Sequence, residues 1–238
     1  MNKKESKSLS GPIELLKKSW KAYKANAKTF ALILVIPVIL ELIIKYIIIS
    51  VLKPGSLDNM SYSFPFYAIL LIGFLLVYIP ILFWSNTALY LCIVEKVSEW
   101  KSSYHKAINK IIPFFLINLL IVLLVSGGLV LLIIPGIILY VWLSFAPFVY
   151  FEQNKGGFNA LAKSKEYVKG YWWPVFFRGL FIFFVSLVVT VIFGLVSEGL
   201  RIPSLQSIIA IVLTPITILY NFELYRELKA IHSHHPED

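Results

Sequence analysis

Long apolar runs alternate with short polar segments along the chain, and this pattern predicts helices that cross a membrane. Six apolar runs are present, over residues 29–52, 65–94, 111–125, 128–151, 172–196 and 204–221. A helix needs roughly 20 apolar residues to cross the hydrocarbon core of a bilayer, and these runs average about that length. The predicted fold class is therefore all-α, a polytopic membrane protein with six transmembrane helices.

The third and fourth runs form one apolar stretch, residues 111–151, that has to turn back on itself. As a single helix it would be about twice as long as a bilayer is thick. Two dipeptides offer a break, Gly127–Gly128 and Pro135–Gly136. Glycine adopts the positive φ of a tight connection, whereas a proline inside a span is tolerated as a kink. We favour a turn at the glycine pair; a turn at Pro135–Gly136 would leave the topology unchanged.

Basic residues are concentrated in alternate gaps between the apolar runs. Eighteen of the 22 lysines and arginines lie on the side that carries both ends of the chain, whereas the gaps on the other side hold only Lys53 and Arg201. Short loops rich in lysine and arginine stay on the cytoplasmic side of a membrane. We therefore expect a multi-pass protein of a cytoplasmic (inner) membrane with cytoplasmic N and C termini.

Three of the basic gaps carry apolar residues at steps of three and four, with lysines between them. This spacing predicts three amphipathic interfacial helices, each preceding a two-helix hairpin. The first copy shares with the third the pairs Leu16 and Leu161, Lys18 and Lys163, Ser19 and Ser164, and Lys24 and Lys169; the second shares Ser103, Pro113 and Phe115 with the third. The predicted organisation is a basic amphipathic segment at 1–28, a membrane domain at 29–221 and a cytoplasmic tail at 222–238.

Composition narrows the class of partner. Hydrophobic residues make up 58% of the 238 residues and charged residues 15%, which leaves too little polar surface for a water-soluble fold. The net charge of +9 lies beside the apolar runs, so we expect anionic lipid headgroups as partners and no nucleic acid. Cys92 is the only cysteine, which excludes an intrachain disulfide and a cysteine-based zinc site.

Five polar residues inside the predicted spans form a candidate intramembrane site: Glu41, Lys45, Asn86, Asn118 and Arg178. Glu41 and Lys45 share one helix face, and charges at membrane depth are costly enough to suggest function. The structural alternative, which we favour, is that these two pair with each other and snorkel. Arg178 binds a lipid phosphate or snorkels to the headgroups, and we favour snorkelling. The asparagines line a polar path or, as we favour, form hydrogen bonds between helices.

Seven lysines of the basic gaps are the predicted headgroup contacts: Lys17, Lys18, Lys21, Lys106, Lys110, Lys165 and Lys169. Near the C terminus, His232, His234 and His235 have nothing to fix a metal geometry, so we predict a disordered terminus. A Ser-His-Asp set, a phosphate-binding glycine loop or paired carboxylates cannot be assembled from the sequence. We therefore predict no catalytic residues, cofactor or metal.

Several short motifs are concentrated in the middle of the chain: Ile134-Pro135-Gly136-Ile137, Phe145-Ala146-Pro147, Ala160-Leu161 with Ser164, Val168-Lys169-Gly170 and Trp172-Trp173. They resemble a pattern in six-span prokaryotic proteins, similar to the membrane domain that accompanies glycerophosphoryl diester phosphodiesterases and to related inner-membrane families. The resemblance implies the fold and the location. In those phosphodiesterases the chemistry lies in a separate soluble barrel with acidic metal ligands and catalytic histidines, a region not found in these 238 residues, so phosphodiesterase activity is not expected.

These patterns predict a non-enzymatic protein of a prokaryotic membrane that holds anionic lipid and acts as an accessory or scaffold in the envelope. A small transporter or channel is the alternative. In that case Glu41, Lys45 and the asparagines would face an aqueous path. An enzyme acting on lipids is a third and weaker option, because Glu41 is the only acid at a plausible depth.

Overall fold

The structure is a computed structural model that describes residues 9–51, 60–97, 99–202 and 204–233. Within these ranges every regular element is helical. The α-helices are α1 Pro12–Val51, α2 Met60–Val94, α3 Trp100–Ala107, α4 Ile111–Leu131, α5 Ile133–Leu143, α6 Ala146–Gln153, α7 Gly157–Val168, α8 Trp172–Leu200 and α9 Leu205–Ser233. A 3-10 turn at Ile108–Lys110 joins α3 to α4.

Six helical stretches in the described residues are long and apolar enough to cross a bilayer, which confirms the predicted number of spans. They are Pro12–Ile48, Ile72–Val94, Trp100–Leu131, Ile133–Gln153, Trp172–Leu200 and Leu205–Ser233. The fourth combines α5 and α6, which are separated by a short break. The chain thus has the all-helical, multi-pass character expected of an integral membrane protein.

The first basic segment and the first span form one uninterrupted helix, α1, of 40 residues. In the other two copies the basic helices, α3 and α7, end before α4 and α8 begin. Pro113 and Pro174 are the third residues of α4 and α8, and Thr29 stands at the matching place in the first copy. Proline fits the first turn of a helix, where its missing N–H has no helical partner to lose. The expected division at residue 29 is therefore not a helix end.

The turn between the third and fourth spans lies at Leu132, so neither predicted break is correct. Leu132 is the single residue between α4 and α5, with an extended backbone at φ −162° and ψ 146°. Gly127 and Gly128 lie inside α4 and do not adopt a positive φ. Pro135 is the third residue of α5, in its first turn, where proline is tolerated.

Gly128 and Gly136 do not form a tight turn; they allow α4 and α5 to approach each other closely. A Cβ placed on Gly128 would lie 3.0 Å from the backbone nitrogen of Gly136, and a Cβ on Gly136 would lie 2.8 Å from that of Leu129. Distances this short require a backbone shift. The two glycines therefore let α4 and α5 meet backbone to backbone beside the turn.

The fourth span is broken at Ser144 and Phe145, and a side chain from α7 fills the break. Pro147 follows it and lacks the N–H that would continue the helix. Ser164 Oγ accepts a hydrogen bond from the Phe145 N–H at 3.1 Å and donates one to the Trp142 carbonyl at 2.7 Å. Two backbone groups freed by the break are thereby satisfied.

The first and last helices of the chain, α1 and α9, run antiparallel. Lys18 near the beginning of α1 pairs with Glu227 near the end of α9 at 2.9 Å. Lys45 near the end of α1 donates to Ser207, at the beginning of α9, at 3.0 Å. We call the end of the bundle where α1 begins and α9 finishes the basic end, since α3 and α7 also lie there, and the opposite end the far end.

Helix α9 continues past the predicted end of the membrane domain at Asn221 to Ser233, and it buries Tyr225 and Leu228 completely. His232 lies in its last turn, and its ring contacts those of Tyr167 and Tyr171. The predicted disordered terminus is therefore wrong for His232. His234 and His235 lie outside the described residues.

A group of closely spaced, largely buried aromatic rings lies toward the basic end of the core. Phe148 of α6 lies 5.3 Å from the ring of Tyr90, 5.5 Å from Phe222 and 5.8 Å from Tyr225, measured between ring centroids. We call these rings, together with Phe114 and Phe151, the aromatic cluster. They join α2, α4, α6 and α9 at one level of the bundle.

Candidate functional site

The two charged residues of the candidate intramembrane site, Glu41 and Lys45, lie at the far end and contact each other. Their carboxylate and ammonium groups are 2.6 Å apart, and both side chains are about one-third exposed, at 32% and 35%. The Lys45 ammonium also donates to the Ser207 hydroxyl, which donates in turn to Glu41 at 3.1 Å. Ser207 is buried, so α1 and α9 share one polar contact of balanced charge.

Balanced charge is the physical reason that this contact is tolerated between apolar helices. A lone charge at membrane depth is expensive, whereas an ion pair that also satisfies a hydroxyl carries no net charge. Ser207 was not among the residues predicted for the site. The sequence does not show that α1 and α9 are neighbours, so the only available signal was a serine near the start of the last apolar run.

The asparagines of the candidate site bond within their own helices. Asn86 donates from its side-chain amide to the Leu82 carbonyl at 3.0 Å, and Asn118 donates to the Phe114 carbonyl at 2.8 Å. Both side chains are half-buried. These contacts do not join the asparagines to Glu41 or Lys45. A polar path through the bundle stays a prediction.

Arg178 lies at the basic end, where it holds the segment that precedes α1. Its guanidinium donates to the backbone carbonyls of Ser10 at 2.9 Å, Leu9 at 3.0 Å and Pro174 at 2.9 Å. Along α1, Glu41 is about 30 residues away, roughly 45 Å of helix rise. Arg178 and the Glu41–Lys45 pair therefore belong to separate parts of the molecule.

A second set of contacts joins the same segment to α9. Glu227 accepts hydrogen bonds from the Ser10 backbone N–H at 2.9 Å and from the Lys18 ammonium at 2.9 Å. Lys18 also pairs with Glu14 one turn earlier, at 3.1 Å. The Glu227 carboxylate on α9 and the Arg178 guanidinium on α8 thus hold the beginning of α1 between these two helices. Glu227 and Ser10 were missed from the sequence because both lie far from Arg178 in the chain.

Four lysines form a stripe along the exposed face of the first half of α1. Lys17, Lys21, Lys24 and Lys28 follow steps of four, three and four residues, which places them on one helix face, and all four are exposed. The opposite face buries Leu15 and Ser19 completely. We call these four residues the lysine stripe; it contains two of the seven predicted headgroup contacts.

Lys106 and Lys110, two other predicted headgroup contacts, bind a carboxylate within the protein. Each of their ammonium groups lies 3.1 Å from an oxygen of Glu95. Burial raises the pKa of Glu95, but the hydrogen bonds from both lysines outweigh it, so the pKa lies below the ordinary value of a glutamate. Of the remaining predicted contacts, Lys165 lies over the ring of Trp142 at 4.3 Å and Lys169 is exposed.

A polar network on α6, α7 and α9 lies beside the aromatic cluster. Tyr225 donates to Glu152 at 2.6 Å, and Lys229 donates to the same carboxylate at 2.8 Å. The side-chain amide of Gln153 donates to the hydroxyls of Tyr167 at 2.8 Å and Tyr225 at 3.0 Å. Sequence reasoning did not predict this network, because its members are spread over nearly 80 residues and no motif connects them.

No family model, characterised protein or solved structure matches the chain.

Proposed function

We propose that the protein is a non-enzymatic membrane protein that binds anionic phospholipids through the lysines of its basic end and acts as an accessory or scaffold in a prokaryotic envelope. The lysine stripe is the single observation that carries the proposal. Its four ammonium groups are exposed over three helical turns, while the other face of the same helix packs against α9. Anionic headgroups are the natural counter-charge beside a membrane span.

Nearby apolar side chains support a position at the membrane surface. Trp20 is 45% exposed beside the stripe, and the Lys24 ammonium lies over its ring, 5.8 Å from the centroid. Phe158 on α7 is 69% exposed, and Trp173 at the beginning of α8 is 62% exposed. Aromatic residues next to lysines favour the headgroup level, where the ring meets acyl chains and the charge meets phosphate.

The internal partners of the lysines refine the set of proposed headgroup contacts. Lys18 pairs with Glu14 and Glu227, whereas Lys106 and Lys110 share Glu95, so part of the charge of these lysines is compensated within the protein. Lys17 and Lys21 are exposed on the stripe. We propose that the stripe, together with Lys165 on α7, provides most of the attraction to anionic lipid.

The test is lipid selection by the full-length protein in nanodiscs that contain phosphatidylglycerol and phosphatidylcholine, with bound lipid measured by native mass spectrometry after extraction. In the variant Lys17→Gln/Lys21→Gln/Lys24→Gln/Lys28→Gln, the preference for phosphatidylglycerol should fall at least about 10-fold, because each lysine near an anionic surface contributes about 1 kcal/mol.

The matched control replaces the same four lysines with arginine and should keep the preference, since the charge remains. Equal selection by the glutamine and wild-type proteins would contradict the proposal. A second control, Glu95→Gln/Lys106→Gln, removes one charge of each sign and should leave lipid selection nearly unchanged.

We further propose that the basic end faces the cytoplasm, which places both termini there. The distribution of lysine and arginine supports this orientation. A reporter enzyme that is active only in the cytoplasm, fused to the C terminus, should be active. Activity from a reporter that works only outside the membrane would reverse the orientation.

A further inference from the structure

The turn between α4 and α5 has a surface unlike that of an ordinary loop. Five consecutive side chains around it are strongly exposed and apolar: Val130 at 87%, Leu131 at 79%, Leu132 at 69%, Ile133 at 70% and Ile134 at 71%. The sequence from 111 to 151 contains no charged residue. Such a tip would expose a continuous apolar patch to water if it emerged from the membrane.

The other two connections at the far end are polar in sequence. The first, residues 52–59, includes Lys53 and Asp58, and the connection after α8 includes Arg201 with Glu198 beside it. Loops of this composition fit the aqueous side of a membrane interface. The α4–α5 turn is therefore the exception among three connections at the same end of the bundle.

The α4–α5 turn and the end of α8 also differ in the length of the helix that leads to them. Helices α4 and α8 both follow a basic helix and both carry proline as their third residue, Pro113 and Pro174. From its proline, α4 continues for 18 residues to Leu131, whereas α8 continues for 26 residues to Leu200. The difference of eight residues corresponds to about 12 Å of helix rise. If the two prolines lie at one depth, the turn ends short of α8 by that distance.

The backbone at the turn is short and closely packed. Only one residue separates the two helices, and the Leu132 N–H donates to the Gly128 carbonyl at 3.0 Å. Pro135 removes one N–H from the first turn of α5, where it would otherwise lack a helical partner. The contact between Gly128 and Gly136 keeps the tip narrow. The bonded Leu132 N–H and the missing N–H of Pro135 lower the number of backbone groups at the turn that need a partner outside the helices.

We propose that the α4–α5 turn stays in the membrane, among the acyl chains at the far end, instead of emerging into water. The occupant of the exposed surface is lipid, because the surface of the tip continues the apolar, outward-facing surface of α4, where Val122 and Leu123 are 61% and 58% exposed. The hairpin is thus anchored in the lipid, while the connection after α8 reaches the aqueous phase.

The test compares two leucines at the same end of the bundle. In a Cys92→Ser background, the variants Leu132→Cys and Leu200→Cys place one thiol at the tip or at the end of α8, where Leu200 is 61% exposed. The full-length protein is placed in nanodiscs, which leave both membrane faces open to a charged maleimide. Leu132→Cys should react at least about 10-fold more slowly, because the reactive thiolate forms only in contact with water. Equal labelling rates would overturn the proposal.

Two further measurements show whether slow labelling at position 132 is caused by contact with lipid. After unfolding in SDS both thiols should react at the same rate, which shows that the difference comes from the folded protein. A bimane fluorophore attached at position 132 should be quenched by brominated acyl chains more strongly than one at position 200. Slow labelling without such quenching would place the tip against protein and overturn the proposal. Val130→Cys is the second variant at the tip, and the same outcomes apply to it.

Discussion

At the basic end, side chains from α2, α4, α6 and α9 meet in the aromatic cluster, whereas at the far end the same bundle turns its apolar side chains outward. Phe148 is 1% exposed in the cluster, but Leu195 near the far end of α8 is 66% exposed. Apolar helices gain little from contact with each other in lipid, because acyl chains are as apolar as leucine. The comparison teaches that aromatic packing between helices is concentrated toward the basic end, whereas much of the apolar surface at the far end faces outward.

The largest test of this comparison removes one large apolar side chain from each end. Phe148→Ala should lower the free energy of unfolding by roughly 3 kcal/mol or more, because it leaves a cavity among Tyr90, Phe222 and Tyr225. Leu195→Ala should change it by less than about 0.5 kcal/mol, since lipid fills the space. Reversible unfolding of the purified protein in mixed SDS micelles measures both values. Equal effects at the two ends would contradict the comparison.

A substitution at Arg178 tests how much the contact with the segment before α1 contributes to the stability of the basic end. Arg178→Gln removes three hydrogen bonds to backbone carbonyls and should lower the free energy of unfolding by about 2 kcal/mol. Arg201→Gln is the control at the far end and should be nearly neutral. Hydrogen exchange at residues 13–16 should also become faster in Arg178→Gln alone. Unchanged exchange there would mean that Arg178 does not hold the segment.

Two serines at matching positions of the basic helices differ in the backbone groups that their hydroxyls satisfy. Both Ser103 and Ser164 are fully buried, but Ser103 bonds to the Glu99 carbonyl, which the Ser103 N–H also contacts, and to the weakly polar Cys92 thiol. Ser164→Ala leaves two backbone groups of the broken fourth span without partners and should cost about 1–3 kcal/mol. Ser103→Ala should cost about 0.5 kcal/mol or less. Reversible unfolding in mixed SDS micelles measures both free-energy changes. Equal changes would contradict the role of Ser164 in satisfying the broken fourth span.

The smallest expected effect is the pH dependence from Glu95. Its pKa in the folded protein lies below the ordinary value of a glutamate, about 4.3 in an unfolded chain. The stability that it provides is therefore fully present above pH 4.3 and is lost as the pH falls through the lower pKa of the folded protein. Because the Glu95 side chain is 29% exposed, we expect about 1 kcal/mol or less.

Glu95→Gln should remove that part of the acid dependence and lower the stability at pH 7 by the same amount, about 1 kcal/mol or less, because glutamine cannot form the ion pairs. Unfolding curves between pH 3 and pH 7, compared for the wild type and the variant, measure the difference. Parallel curves over the whole range would show that the contact with Lys106 and Lys110 contributes nothing to stability.

The sequence by itself determined the number and approximate place of the spans, because transfer of an apolar helix into lipid depends on its length and composition alone. It also indicated the short basic helices before α4 and α8, where Pro113 and Pro174 favour a helix start. Local patterns were sufficient for these features since each depends on residues that are near each other in the chain.

Only the tertiary structure decided which helices are neighbours. The turn at Leu132 follows from the close contact of Gly128 with Gly136, and Ser207 joins Glu41 and Lys45 because α1 lies against α9. Arg178 binds the Leu9 and Ser10 carbonyls for a similar reason, since α8 passes the beginning of α1. Contacts between residues more than 150 positions apart depend on how the helices pack, and an apolar pattern carries no information about the choice of partner.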